Sequence, residues 1–399
     1  MGRLFLVVID GLGIGAQEDA DRYGDESANT LAGVSHATGC KLPNFEKLGL
    51  GNIEPLPSIQ STEKPAACVG KMRELSAGKD STTGHWELAG LILEQPFPTY
   101  PDGFPDDVIN RFCEGTGNRG VLCNKPYSGT DVIRDFGKEH LSTGRPIVYT
   151  SADSVFQVAC HTDVTPVETL YCWCEYARDH VMIGEHAVGR VIARPFEGDP
   201  VSFERISDER KDFSHPVPEP NLMSLLQRAG VKTYSIGKVV DLFAGTGFSQ
   251  YRKTKSNAEG LSQLLSLMSA GINNSFTFMN LIDTDQLYGH RQNPEGYAEA
   301  LREIDRALPA LLGKLGSGDL LILTSDHGND PTDQSTDHTR EFVPLIVAGG
   351  EVLDGAKSCT LGVRETFADV SATVLDFFGC SNPLNGTSFL KQISRILRI

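Results

Sequence analysis

Acidic side chains recur in this chain directly after apolar, β-branched runs. Asp10 follows Leu4–Ile9, Asp283 and Asp285 follow the run 275–282, and Asp326-His327 follows the run 319–324. Two further imidazoles come soon after, His290 in DQLYGH and His338 in STDHTRE. One such aspartate alone reads equally well as a helix N-cap. Asp10, Asp285, His290, Asp326, His327 and His338 taken together are three carboxylates and three imidazoles, enough ligands for two divalent metals. Oxygen and nitrogen donors without thiolate suit Mn²⁺ or Zn²⁺, and a carboxylate-rich set leans toward Mn²⁺. Two metals about 4 Å apart activate an attacking oxygen and stabilise a leaving one in phosphoryl transfer.

Such chemistry calls for a nucleophile, and GKDSTTGHWE (78–87) offers three consecutive hydroxyls before Gly84. A hydroxyl is a poor nucleophile until a metal or base takes its proton. The pattern predicts a tight turn and then a helix beginning near His85, whose exposed amides would face an anion. Ser-Thr-Thr-Gly is also a common turn and N-cap, so this segment gains its meaning from the metal ligands elsewhere.

These residues lie far apart in sequence, and only a particular scaffold unites them. Leu4–Ile9, 275–282, 319–324 and 342–348 read as strands buried on both faces. Helical patterns occupy 258–268, 294–315 and 367–378, and a further helix at 221–229 precedes a strand at 231–236. Alternating strands and helices with short connections predict an α/β core with a mostly parallel sheet flanked by helices. The C-terminal strand ends of such a sheet lie along one edge, which is where ligands bind. Two proline clusters, at 96–105 and 216–220, interrupt the alternation. Proline clusters favour extended linkers. The expectation is a discontinuous core domain, 1–97 and 217–399, with an inserted smaller α+β cap domain at 98–216.

At 399 residues the chain is long enough for two or three domains and needs no disulfide or zinc staple. Its net charge of −16 argues against nucleic acid or an anionic membrane as partner. An anionic ligand must therefore be held by a metal or by a few placed arginines. The N-terminal apolar run is too short for a signal peptide or a membrane span. Nine scattered cysteines without a CxxC pair fit buried thiols in a reducing compartment. The expectation is a cytoplasmic protein, read as a monomer because no amphipathic dimer stripe stands out.

The chain resembles the alkaline phosphatase superfamily, and within it the prokaryotic phosphopentomutases. The resemblance rests on VVIDGLGIGA (7–16), GKDSTTGHWELAG (78–90), YTSADSVFQVA (149–159), GRVIARPF (189–196), SIGKVVDLFAG (235–245), LIDTDQLYGHRQNPEGYAEAL (281–301), TSDHGNDPTDQSTDHTREFVPLIV (324–347) and TFADVSATVLDFFG (366–379). It implies two Mn²⁺ ions on Asp10, Asp285, His290, Asp326, His327 and His338. It implies that Thr83 carries the phosphoryl group. It also implies that Ser151, Asp153, Arg190 and Arg205 of the cap, with Lys238 of the core, hold a sugar phosphate. The implied reaction interconverts ribose 1-phosphate, or 2-deoxyribose 1-phosphate, with the 5-phosphate. It passes through a phosphothreonine enzyme and a 1,5-bisphosphate, is primed by a bisphosphorylated sugar, and serves nucleoside and pentose phosphate metabolism. A hinged cap would exclude the water that hydrolyses a phosphoenzyme. The alternative is a metal-dependent phosphatase or phosphodiesterase with the same site; a sulfatase would want a cysteine or serine in a modified nucleophile motif, and 78–87 contains no cysteine. A non-catalytic sugar-phosphate sensor would have lost a ligand or the nucleophile, and here every one of those positions is filled.

Overall fold

The computed structural model describes residues 2–151, 153–350, 359–395 and 397. It divides into two compact units, Met1–Pro96 with Pro218–Ile399, and Phe97–Val217. Following the chain, β1 (Arg3–Ile9) and β2 (Cys68–Met72) belong to the first unit. The second unit carries β3 (Leu122–Pro126), β4 (Ile147–Thr150), β5 (Val155–His161), β6 (Arg190–Asp199), β7 (Ser202–Arg205) and β8 (Lys211–Ser214). The first unit resumes with β9 (Lys232–Ile236), β10 (Gln250–Arg252), β11 (Ser275–Leu281), β12 (Leu320–Thr324), β13 (Val343–Gly349) and β14 (Cys359–Arg364).

The first unit is an α/β layer structure around one sheet of order β10-β9-β11-β1-β12-β13-β2-β14. All neighbours are parallel except β13, which runs antiparallel to both β12 and β2. The central strand explains the layering. Phe5, Val7 and Ile9 of β1 pack into a core with residues of the helices Thr30–Thr38, Pro43–Leu48, Asn257–Ser269 and Pro294–Leu312. Leu4, Leu6 and Val8 point to the opposite face, and all six side chains are at most 1% exposed. Burying each such side chain contributes about 1.5–3 kcal/mol, which is why this strand is apolar without alternation. On the second face the helix Ser81–Leu88 presents His85, whose ring stacks on Phe278 of β11 at 5.5 Å.

One edge of this sheet collects the functional segments. The C-terminal ends of β9, β11, β1, β12 and β2 share it, and the reversal of β13 brings that strand's N-terminal end to the same edge.

The second unit is α+β, with a sheet of order β3-β4-β5-β6-β7 and β8 also paired to β6. One face carries Phe156, Val158, Cys160, Val191 and Ala193 against the helices Asp106–Thr116 and Val167–Tyr176. The other face is covered by the helix Asp131–Thr143 around Phe196, Ala159 and Ile147.

Candidate active site

The three central strands β11, β1 and β12 are adjacent, so their ends place Asp285, Asp10 and Asp326-His327 side by side. His338 arrives from the start of β13. A backbone pair between Gly328 and Thr339, with N–H···O distances of 3.1 and 2.8 Å, zips the two histidine segments together. The buried Glu341 carboxylate secures that pair by accepting from the hydroxyls of Thr339 and Thr30 and from the amides of Thr30 and Gly15. The ring centroids of His327 and His338 end up 4.0 Å apart, and those of His290 and His338 4.8 Å apart.

Two groups of potential ligand atoms form, Asp285 with His327 and His338, and Asp10 with Asp326 and His327, each within 4.8 Å. His290 joins through its Nε2, 3.4 Å from Asp285 Oδ2. The chemistry of the set fits divalent cations. Asp10 Oδ1, Asp326 Oδ2 and His338 Nε2 are buried without a well-formed hydrogen bond, although charged neighbours stand 3.1–3.4 Å away, and buried acceptors that converge in this way suit a cation. Outer contacts aim the ligands inward. Nδ1 of His327 faces Gly328 O at 3.0 Å and Nδ1 of His290 faces Thr336 O at 2.7 Å, so both rings present Nε2 to the centre. Asn329 Nδ2 donates to Asp285 Oδ1 at 2.7 Å. Asp283 turns away, accepting from Asn257 N at the start of the helix Asn257–Ser269.

The electrostatics reflect this crowding. Burial pulls the His327 imidazolium down, but Asp326, Asp10 and Asp285 outweigh it and hold its pKa up at about 10. Burial raises the Asp326 and Asp285 carboxyls, yet the surrounding imidazoles overcome that and keep both below the usual carboxylate range. Lys238 follows β9, and its Nζ lies 2.5 Å from Asp10 Oδ2. Burial disfavours its charge, but Asp10, Asp285 and Asp326 raise its pKa above the ordinary lysine value.

The three hydroxyls separate at this point. The helix expected near His85 begins instead at Ser81, because Asp80 caps it, accepting from the amides of Thr82 (2.9 Å) and Thr83 (3.2 Å). Thr83 Oγ1 donates to Asp80 Oδ2 at 2.5 Å and the residue is 0% exposed. Its hydroxyl is thus engaged within the cap. Ser81 is half-buried, and its Oγ lies 3.1 Å from His327 Nε2 and 2.9 Å from Lys238 Nζ. Gly84 is required by the same packing, since a Cβ there would stand 2.0 Å from the carbonyl oxygen of Asp326.

A family model, the metalloenzyme superfamily, matches residues 2–382. A phosphopentomutase of Caldanaerobacter subterraneus subsp. tengcongensis is 49% identical over 391 residues, 98% of each chain. One of Carboxydothermus hydrogenoformans is 50% identical over 396 residues, 99% of this chain and 100% of the relative. The chain belongs to the phosphopentomutases. Among solved structures, a phosphoglycerate mutase of Leishmania mexicana aligns over 97% of both chains at 13% identity with a TM-score of 0.49.

A phosphopentomutase is an isomerase, and the second unit holds the remaining residues that the resemblance assigned. Ser151 and Asp153 lie in the turn between β4 and β5, and Arg190 opens β6. Asp153 and Arg190 form an ion pair at 3.6 Å. Arg205 enters from elsewhere, since it closes β7 opposite Phe196, six residues along β6 from Arg190. No helix among the described residues is long and apolar enough to cross a membrane.

Several residues around the ligand cluster were left without a role or a direction by the sequence. Ser81 was read only as one of three hydroxyls, and Asp80 before it, a preferred N-cap residue, was the available signal for its direction. His85 is the second: its Nδ1 lies 2.8 Å from Ser81 O and 3.1 Å from Asp326 Oδ2, with Nε2 against Asn280. Arg340 is the third. Its buried guanidinium donates to the carbonyls of Glu74, Ser76 and Gly78 and pairs with Asp19, fixing the segment that leads to Asp80.

Proposed function

We propose that this chain interconverts ribose 1-phosphate, and 2-deoxyribose 1-phosphate, with the 5-phosphates in cytoplasmic nucleoside and pentose phosphate metabolism. The phosphoryl group is carried on Ser81 rather than Thr83. The observation that carries this choice is the Ser81 hydroxyl itself, 3.1 Å from His327 Nε2 and 2.9 Å from Lys238 Nζ. Asp10, Asp285, His290, Asp326, His327 and His338 would hold two divalent cations, Mn²⁺ by the donor set. When bound, these supply Lewis acidity to the oxygens that attack and leave.

In the forward half-reaction, phospho-Ser81 gives its phosphoryl group to O1 of ribose 5-phosphate, making the 1,5-bisphosphate. After the sugar reorients, Ser81 Oγ accepts the phosphoryl group from O5 and ribose 1-phosphate leaves. No water is consumed, so the enzyme ends each cycle phosphorylated. A bisphosphorylated sugar supplies the first phosphoryl group. Lys238, kept cationic by three carboxylates, stabilises the negative charge that gathers around Ser81 Oγ. Ser151, Asp153, Arg190 and Arg205 of the second unit hold the phosphate that is not being transferred, the arginines through bidentate contacts.

A phosphorus NMR time course tests the reading, with full-length protein, ribose 1-phosphate, Mn²⁺ and a trace of glucose 1,6-bisphosphate. The expected result is ribose 5-phosphate without inorganic phosphate, and peptide mass spectrometry then finds the phosphate on Ser81. Steady release of inorganic phosphate would make the protein a phosphatase. Phosphate found on Thr82 or Thr83 would overturn the assignment to Ser81.

A further inference from the structure

The second unit carries a charged row on one sheet face that the assigned residues only partly explain. Tyr149 of β4 stands opposite Gln157 of β5, Gln157 opposite Ile192 of β6, and Ile192 opposite Asp212 of β8. Residues paired in this way share a face. Arg190 and Arg194 lie two positions to either side of Ile192 and therefore flank the row on that face. Arg205, opposite Phe196, shares it too.

The arginines of this group are paired unequally. Asp212 receives Arg210 in a two-pronged pair at 2.7 Å for both contacts and sits 3.5 Å from Arg190. Asp153 takes Arg190 from the other side at 3.6 Å. Arg194 is held only through Nε, donating to Gln157 Oε1 at 3.1 Å. Neither Arg194 nor Arg205 forms an ion pair with a carboxylate among the described residues. Arg194 and Arg205 thus stand on this face without an ion pair among the described residues, on a chain whose net charge is −16.

An independent observation points into the same place. Tyr149 is 1% exposed, and its hydroxyl has no hydrogen-bond partner. A buried hydroxyl left unpaired costs about 1–3 kcal/mol. Arg194, Arg205 and Arg210 all act electrostatically on this phenol. Gly129 brings the backbone close beside it: a Cβ there would lie 3.0 Å from Tyr149 Oη and 3.3 Å from Arg205 Nη1.

We propose that Arg194 and Tyr149 are the floor of a phosphate subsite on this sheet face, with Arg190 and Arg205 at its rim and the Arg210–Asp212 pair positioning Arg190. A phosphate oxygen held between Arg194 and Arg205 is the acceptor that Tyr149 Oη lacks. It also supplies the negative charge that Arg194 and Arg205 lack among the described residues. Arg194 lies along β6 between Arg190 and the position opposite Arg205. This rests on the reading above that the second unit holds the sugar phosphate which is not being transferred.

The test uses full-length protein with Mn²⁺ and three variants, Y149F, R194Q and R194K. With ribose 5-phosphate as substrate, Y149F should raise KM about tenfold while kcat changes far less. R194Q should raise KM about a hundredfold, and R194K should recover part of that loss. Because Y149F removes an unpaired buried hydroxyl, its melting temperature should stay level or rise, which separates lost binding from lost folding. If wild type is active and both Y149F and R194Q keep its KM, the subsite is wrong. If wild type does not interconvert the pentose phosphates, the functional reading fails, and titration with inorganic phosphate decides the subsite alone. Affinity at least tenfold weaker in R194Q and lower in Y149F supports it, and unchanged affinity overturns it.

Discussion

Replacing Thr83 with valine separates the two hydroxyls that lie at the start of one helix. Valine keeps the shape of threonine, so the buried packing survives and only the Oγ1–H···Oδ2 bond to Asp80 is lost. A hydrogen bond to a charged group is worth about 1.5–3 kcal/mol. Asp80 keeps its amide contacts to Thr82 and Thr83, so the helix start itself is preserved. Unfolding entropy of about 2.1 cal/mol/K per residue, over a first unit of roughly 280 residues, converts this loss into a fall in Tm of about 3–5 °C. Turnover and the phosphoprotein should both survive, because Thr83 Oγ1 faces Asp80 and not the ligand cluster.

Ser81→Ala should give the opposite pattern. Removing the nucleophile of a covalent mechanism costs several orders of magnitude in kcat, about 10⁶ where a serine nucleophile has been deleted in a protease. Its effect on Tm should be small, since Ser81 is half-buried and the Asp80 cap is made to the amides of Thr82 and Thr83. Thermal scans, phosphorus NMR turnover and intact-protein mass after treatment with glucose 1,6-bisphosphate read all of these quantities. A Thr83→Val protein with unchanged Tm and no covalent phosphate would refute the reasoning, for then Thr83 would be the acceptor and its bond to Asp80 incidental.

Three further outcomes follow from the same geometry. In protein stripped of divalent metal by EDTA, His327 has a pKa raised from 6.5 to about 10. Its stabilising contribution is complete below pH 6.5 and disappears as pH rises through 10, so Tm should fall across that window. Metal ligation needs the neutral ring, so Mn²⁺ should abolish the dependence, and a flat Tm in EDTA between pH 7 and 10 would contradict the charge assignment. Gly84→Ala drives a Cβ onto the Asp326 carbonyl; Mn²⁺ affinity measured by calorimetry should drop together with stability, and wild-type affinity would mean that the helix can retreat freely. Arg340→Lys cannot reproduce the fork onto three carbonyls and Asp19, so kcat should fall with little change in KM, whereas a change confined to KM would place Arg340 in substrate binding.

The direction of each hydroxyl was not legible in the sequence, and the reason is helical phase. Successive residues of an α-helix are about 100° apart around the axis, so Ser81 and Thr83 point roughly 200° apart. Starting the helix at His85 leaves all three hydroxyls in a turn with no defined direction. Starting it one residue after Asp80 sends Ser81 toward His327 and folds Thr83 back onto the cap. The convergence of these carboxylates and imidazoles was legible for the opposite reason. Their positions depend on strand ends, which apolar runs mark plainly, and not on rotation about an axis. Arg194 was hidden for a third reason: period two places it on the face of Arg190, but only the pairing of four separate strands reveals Tyr149 and Asp212 beside it.

His338 joins the centre only because one strand is reversed. In a fully parallel sheet β13 would begin at the edge away from the ends of β11, β1 and β12, and the segment before it would be carried far from His327. Parallel neighbours need a crossover of a dozen or more residues, usually a helix. The connection between Thr324 and Val343 contains no helix, because DHGNDPTDQSTDHTRE is polar and turn-rich throughout. Such a segment cannot cover a sheet face on its way back, so the chain must return antiparallel, bonded edge to edge with β12. The polar composition that supplies Asp326, His327 and His338 to the cluster is therefore the same property that forces the reversal and brings both ends of the segment to one place.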